Sequence, residues 1–234
     1  MIRSAILCAT LLAGMVGAPL ARADEPPVGG FSPAQARTIM AAIDASRGLS
    51  SLLGRCPADI FGRRPPRPQA LGRAEGFSAE RCRADAKSCL DACTKDHDGE
   101  ACFGLARAFQ DRDDEREARY AQILFAMTCA TGKGAGCTNR AAGIRNGGQQ
   151  GDPFHGRLAA AAERCQYRSF KIACDRRDAW GCTMLGQSHR YGEGTPTNLD
   201  QARHHYELSC EIAPHFEACA FARTDLDEIG PARR

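Results

Sequence analysis

Beyond its first 23 residues, the 234-residue chain lacks any hydrophobic run approaching the roughly 20 residues that a membrane-spanning helix needs, so no membrane span is expected. It also lacks a strong excess of charge of one sign. If the first 23 residues are removed as a leader, Arg3 and Arg22 are lost with them, and the 31 basic residues become 29. Against 28 acidic residues, the net charge is then about +1. Nucleic-acid-binding proteins usually show a strong basic excess, so the composition argues against a nucleic-acid partner.

Three signatures of catalytic or metal sites are absent as well. No two cysteines have the C-x₂-C spacing of zinc sites, and no G-x-x-x-x-G-K-[ST] loop occurs. A serine β-lactamase would show S-x-x-K with S-D-N and K-T-G, but the stretch Ser169-Phe170-Lys171 is one residue short. We therefore expect no cofactor and no metal, and the sequence identifies no catalytic residue.

The first 23 residues have the pattern of a secretory signal peptide. "MIRSAILCATLLAGMVGAPLARA" has a basic start, an apolar middle and a small-residue end, and Ala21-Arg22-Ala23 fits a cleavage site. The mature chain of about 210 residues is then expected to begin near Asp24 and to be periplasmic or secreted.

Cysteine is abundant in what remains. Thirteen cysteines less Cys8 leave twelve, an even number, and an exported protein meets an oxidising environment. The sequence therefore predicts a disulfide framework.

Eight of these cysteines form four pairs with seven or eight residues between the partners. The second cysteines recur after 35, 45 and 37 residues, a period typical of stacked helical repeats. The pairs are Cys93 with Cys102, Cys129 with Cys137, Cys174 with Cys182, and Cys210 with Cys219.

The residues between the pairs have helical spacing. Tyr120, Leu124 and Met127 recur at three- and four-residue intervals before Cys129. Each unit then consists of helix A, a turn and helix B, and a cysteine pair joins helix B to the next helix A. Closing one such short loop stabilises the fold by about 2.5 kcal/mol in the chain-entropy model.

Four cysteines fall outside this frame, at positions 56, 82, 89 and 165. A bond from Cys56 to Cys82 or Cys89 would hold the N-terminal segment on the array, while Cys165 lies two repeats beyond Cys89. The sequence leaves open whether one or two of these thiols stay free or pair between chains.

Residues 24–77 differ from the rest. Ser32 and Pro33 predict the start of a helix that ends before Gly48, and the Pro/Arg-rich stretch from Cys56 predicts an irregular, exposed connection. We expect this segment to cap a repeat array that spans residues 78–234.

The glycine-rich stretch "CATGKGAGC" (129–137) has two interpretations, a phosphate loop or a turn closed by a disulfide. The preceding segment is helical and Lys133 is followed by Gly134, so the turn is favoured. Its glycines are expected to supply positive φ angles, and Lys133 is expected to be solvated.

The stretch "CTMLGQSHRYGEGTPTNLDQARHHYELSC" (182–210) resembles a Sel-one-like repeat, a relative of the tetratricopeptide repeat. Leu185-Gly186, Gly192-Glu193-Gly194, Ala202, Tyr206 and Cys210 match the family pattern, whereas His189, Gln201 and Ser209 depart from it. The paired cysteines make the chain similar to the cysteine-rich secreted branch, the Hcp-type proteins. The unit from Cys137 departs further, with Arg140 where leucine is usual.

The resemblance implies an all-α fold, an α/α solenoid of disulfide-stapled helix-turn-helix repeats, with a concave groove lined by the A helices. Positions one, five and eight after each opening cysteine share the face that looks into the groove in tetratricopeptide relatives. The resulting candidate binding residues are Phe103, Arg107, Gln110, Thr138, Arg145, Thr183, Gln187 and Arg190.

Two kinds of function follow as expectations. The arginines of that face could grip carboxylates of a protein, a peptide or a peptidoglycan-derived ligand, which makes the chain a binding scaffold or a structural adaptor of an envelope complex. The family resemblance instead implies a β-lactamase or penicillin-binding hydrolase. The histidines at 189, 204, 205 and 215 are expected to pack or to face solvent rather than to bind metal.

Overall fold

The computed structural model describes residues 30–62, 77–110, 114–147, 152–154 and 159–230. The expected leader, its cleavage site and most of the Pro/Arg-rich stretch lie outside these residues. Every regular element in the described ranges is an α-helix, which confirms the all-α class. The helices are α1 (Pro33–Ala45), α2 (Arg47–Leu52), α3 (Pro57–Ile60), α4 (Ala79–Ala84), α5 (Ala86–Thr94), α6 (Gly99–Gln110), α7 (Glu115–Ala130), α8 (Gly134–Arg145), α9 (Ala159–Asp175), α10 (Ala179–Tyr191), α11 (Leu199–Ile212) and α12 (Glu217–Ile229).

Several helices begin and end where side chains satisfy the free backbone groups of a helix terminus. Ser32 starts α1 with a capping box shared with Gln35, and Pro33 follows at the first helical position. Asn198 accepts a hydrogen bond from the Gln201 N–H and starts α11. Gly192 ends α10 in the left-handed conformation, with φ of 76°.

From α6 onward the helices pack in chain order. The pairs α6–α7, α8–α9 and α10–α11 each form a close contact, and each pair also contacts the first helix of the next. The first helices of successive pairs touch sideways as well, α8 with α10 and α10 with α12. The outcome is a series of packed adjacent helix pairs, each burying apolar side chains that it could not bury alone.

Six disulfides pair all twelve cysteines from Cys56 to Cys219. Four of the bonds join the pairs expected from the spacing. The expectation that Cys56 bonds Cys82 or Cys89 is wrong, because Cys82 bonds Cys89 and Cys56 bonds Cys165, across 109 residues. None of these thiols remains free for a bond to another chain.

The N-terminal segment contacts helices of several successive pairs. Helix α1 contacts α5 and α7, α2 contacts α7, and α3 contacts α7, α8 and α9. The apolar residues of α1 and α2 belong to the same buried cluster as those of α4 to α7. The expected irregular connection after Cys56 instead begins with α3, whose Pro57 and Ile60 are buried, and Gly48 lies inside α2.

Arg140 forms an ion pair that is almost wholly buried. Its guanidinium lies 2.7 and 2.8 Å from the two carboxylate oxygens of Asp152, and the side chains are 0% and 1% exposed. It also donates to Gln122 Oε1 and to the Leu53 carbonyl. Burial lowers the pKa of Arg140, and the Asp152 carboxylate opposes that shift. One side chain thus connects α7, α8 and the N-terminal segment.

Candidate functional site

The threonines of the predicted groove face are buried between helices. Thr138 on α8 donates to Asp178 Oδ1 at 2.7 Å, just before α10 begins. Thr183 on α10 lies 3.0 Å from the Ala218 carbonyl oxygen of α12. Because these first helices lie side by side, position one faces the next helix pair and not an open groove.

Two of the three groove arginines are already paired within the fold. Arg145 donates to Gln187 Oε1 at 2.6 Å and forms an ion pair with Glu193 at 2.8 Å. Arg190 pairs with Asp225 at 2.8 Å and with Glu228 at 2.6 Å. The helix-helix interface, rather than a ligand, satisfies these guanidinium groups.

Asp225 of α12 continues this line of polar contacts. It accepts a hydrogen bond from Gln187 Nε2 at 3.1 Å and forms an ion pair with Arg190. Two side chains of α10 therefore bind one carboxylate of α12. Arg145 and Arg190 of the predicted groove face therefore make contacts that align successive helices.

The α6 members of the predicted set lie apart from this network. Arg107 and Gln110 are exposed, whereas Phe103 is half-buried. The ring of Phe103 lies 5.8 Å from Phe125 and under the Lys133 ammonium at 5.4 Å. Arg107 and Gln110 alone keep the exposure that a ligand contact requires.

The glycine-rich stretch 129–137 is a turn closed by a disulfide. Only Gly132 among its three glycines has positive φ, at 93°, while Gly134 and Gly136 lie in α8. A Cβ at Gly136 would lie 2.5 Å from the Thr128 Cβ, so that glycine permits close packing of α7 and α8. Lys133 is not simply solvated, since its ammonium pairs with Glu100 at 2.5 Å.

The serine nearest to a β-lactamase signature is not accessible. Ser169 is fully buried, donates to the Cys165 carbonyl at 2.8 Å and accepts the Ala58 N–H. Lys171 points elsewhere and pairs with Asp175 at 2.9 Å. Ser169 therefore anchors α3 on α9 and cannot act as a nucleophile in this arrangement.

Histidines meet where α10 packs on α11. The rings of His189 and His205 stack at 5.4 Å with an interplanar angle of 16°, and the edge of Tyr167 contacts His189. Within the described ranges, no group of three or more histidine, cysteine or acidic side chains could hold a metal ion. His189 thus occupies an aromatic packing position, as expected, despite its imidazole.

The sequence analysis did not predict a cluster of three aromatic side chains, two of which are exposed. Trp180 in the first turn of α10 lies 5.1 Å from Phe221 and 6.4 Å from Phe216, between ring centroids. Phe221 is 56% exposed and Phe216 is 49% exposed. Trp180, Phe216 and Phe221 are called the aromatic cluster below.

The aromatic cluster is held by rigid parts of the fold. Cys182 lies two residues after Trp180, and Cys219 lies between Phe216 and Phe221 along the chain; both cysteines are in disulfides. The signal available in the sequence was the only tryptophan of the chain, placed beside an opening cysteine. Trp180 is half-buried in the structure, and the exposure of Phe216 and Phe221 depends on how α12 packs.

No helix of the described ranges is both long and apolar enough to cross a bilayer. Comparison with known proteins finds no matching family model, no similar curated protein and no similar solved structure.

Proposed function

We propose that the chain is an exported, non-catalytic scaffold, a disulfide-stapled solenoid of Sel-one-like repeats that binds a protein or peptide partner. The single observation that carries the binding role is the exposed aromatic cluster on α10 and α12. Monomeric proteins rarely expose adjacent large apolar side chains, and tryptophan and other aromatics dominate the energetics of protein interfaces.

The helix packing supports the solenoid part of the proposal. Helices α8 and α10 repeat one set of contacts, in which each touches its own partner, the preceding second helix and the next first helix. Disulfides at equivalent positions fix four of these junctions. A framework fixed in this way presents a surface with little conformational entropy left to lose on binding.

Helix α12 is the last helix of the described ranges, and its exposed surface carries a charged residue as well as Phe221. Arg223 is exposed four residues after Cys219, at the place that small residues occupy in the preceding units, Ala106, Ala141 and Gly186. The aromatic cluster lies beside this end and is the apolar part that a partner would cover.

A cross-linking experiment tests the proposal. A photoreactive phenylalanine analogue at position 221 of the oxidised mature protein is expected to capture a discrete polypeptide from an envelope extract of the source cells. The same analogue at Tyr191, which is 55% exposed on α10, is the matched control. Trp180→Ala is expected to weaken binding of the captured polypeptide roughly 30-fold, as loss of an interface hot spot does.

Equal capture from positions 191 and 221 would overturn the assignment of the aromatic cluster as the binding surface. Co-sedimentation with insoluble peptidoglycan, dependent on Trp180, would move the partner from a polypeptide to a cell-wall component. Hydrolysis of nitrocefin by the oxidised protein would overturn the non-catalytic role and favour the hydrolase alternative.

A further inference from the structure

Two imidazole rings stack at the interface that holds α11 on α10. His189 of α10 is 8% exposed, and its ring lies 5.4 Å from that of His205 with the planes 16° apart. The ring of Tyr167 of α9 lies 5.6 Å from that of His189 in a T-shaped arrangement. His189 and His205 are called the histidine stack below.

The histidine stack is built for neutral rings. Neither His189 Nδ1 nor His205 Nδ1 has a hydrogen-bond partner among the described residues, although both atoms are buried. Stacked neutral imidazoles pack as an apolar pair, whereas a proton on either ring places a charge in a site with poor solvation.

The charged groups that face the histidine stack do not favour a cation there. His204 of α11 lies beside His205, with ring centroids 5.1 Å apart, and Lys171 of α9 adds a positive charge. Asp175 of α9 is the one acid that acts on His205, but its carboxylate already pairs with the Lys171 ammonium at 2.9 Å.

These surroundings lower the proton affinity of the two imidazole rings of the histidine stack. Burial, followed by the charges of His189, His204 and Lys171, lowers the pKa of His205 to about 4, and burial also lowers the pKa of His189. A histidine whose pKa is lower in the folded protein stabilises the fold fully above its unfolded pKa of about 6.5. That stabilisation is lost as the pH falls from about 6.5 towards about 4.

The position of the histidine stack links it to the two outer helices. Helix α11 contacts both α10 and α12, so its packing against α10 also sets where α12 lies. We propose that the histidine stack is an acid-sensitive contact, which holds α11 on α10 at neutral pH and releases it when either ring takes up a proton from solvent. This inference does not depend on the proposed binding function.

Hydrogen exchange of the oxidised mature protein between pH 7 and pH 5 tests the inference, after correction for intrinsic exchange rates. The protection of α11 amides is expected to fall roughly 20-fold over this range, because opening would return His205 to its ordinary pKa. Amides of α6 and α7 are expected to keep their protection. His205→Phe, alone or combined with His189→Phe, retains an aromatic ring that cannot be protonated and is expected to abolish the fall.

Trp180 supplies a second measurement, since it is the only tryptophan and lies at the start of α10. Its near-ultraviolet circular dichroism is expected to change over the same pH range in the wild type but not in the double phenylalanine variant. His215→Gln is the control, because His215 is exposed and adjoins Phe216.

An unchanged pH dependence in the double phenylalanine variant would overturn the inference. Constant α11 protection in the wild type from pH 7 to pH 5 would overturn it too. If either phenylalanine variant failed to fold at pH 7, His205→Gln, whose uncharged side chain also cannot take up the proton, would provide the same comparison.

Discussion

At the scale of single residues, Arg140 shows how one departure from a repeat pattern is accommodated. The position resembles one where leucine is usual, and the structure places there a buried guanidinium with carboxylate, amide and carbonyl partners. Asp152, which lies in the longer connection between α8 and α9, makes the substitution tolerable by supplying the countercharge. The extra length of that unit and its unusual arginine are therefore parts of one feature.

Removing the countercharge is expected to be costly. Asp152→Asn keeps the side-chain volume but leaves the Arg140 charge uncompensated in the interior, so the free energy of unfolding should fall by about 3–5 kcal/mol. Urea denaturation of the oxidised protein measures the loss. Asp227→Asn, an exposed carboxylate on α12, is the matched control and should change stability by less than about 0.5 kcal/mol.

The double variant Arg140→Leu with Asp152→Ala distinguishes the cost of an uncompensated buried charge from the cost of losing the contacts of the ion pair. Without the guanidinium no buried charge remains, so the double variant should be more stable than Asp152→Asn. If Asp152→Asn were as mild as the Asp227 control, the ion pair would contribute little to the fold.

At the scale of helices, glycine controls how closely partners approach. Gly186 in α10 lies beneath Tyr206 of α11, and an added Cβ would lie 2.5 Å from the Tyr206 Cε1 atom. Burial raises the pKa of Tyr206, consistent with a phenol held deep between α10, α11 and α12. Gly186 is thus a packing requirement of the pair formed by α10 and α11.

Gly186→Ala is expected to destabilise the protein by about 1–3 kcal/mol through overpacking against Tyr206, although alanine is the better helix former. Gly48→Ala in α2 is the control, because no atom lies within 4 Å of the added Cβ, and it should leave stability unchanged or raise it by up to about 1 kcal/mol. Thermal denaturation of both variants distinguishes the effects. A stabilising Gly186→Ala would show that α11 can shift outward without cost.

The sequence was sufficient for helices whose ends carry local signals. Ser32 and Asn198 start α1 and α11 as their side chains predict, because capping depends only on neighbouring backbone. The short α3 could not be predicted in this way, since four residues carry no periodicity and its burial comes from α7, α8 and α9. Likewise, only packing distinguishes Gly136, which allows a close approach, from Gly132, which needs positive φ.

At the scale of the whole molecule, the candidate site was beyond sequence reasoning for a geometric reason. Helical periodicity assigns Arg145 and Arg190 to one face, but it does not reveal whether solvent or a neighbouring helix meets that face. Sideways contact of α8, α10 and α12 turns it into an interface, and the same packing leaves Phe221 exposed.

The disulfide between Cys56 and Cys165 likewise depends on how helices that are distant in the sequence pack together. A pair 109 residues apart has no spacing signal, and the two cysteines meet only because α3 crosses onto α9. There the Ser169 hydroxyl donates a hydrogen bond to the Cys165 carbonyl and accepts one from the Ala58 N–H. The disulfide and these hydrogen bonds therefore fix the same junction.

The long loop closed by this disulfide gives it the largest expected effect on stability among the six. Replacing both Cys56 and Cys165 by alanine should lower the free energy of unfolding by up to about 5 kcal/mol, chiefly because the unfolded chain regains the entropy of a loop of this length. Replacing Cys210 and Cys219, separated by nine residues, should cost about 2.5 kcal/mol on the same basis. Urea midpoints of both variants, with a thiol assay to verify that the other ten cysteines remain bonded, measure the difference. A larger loss for the Cys210–Cys219 variant would show that contacts at the folded junctions, and not loop closure, determine what each disulfide contributes.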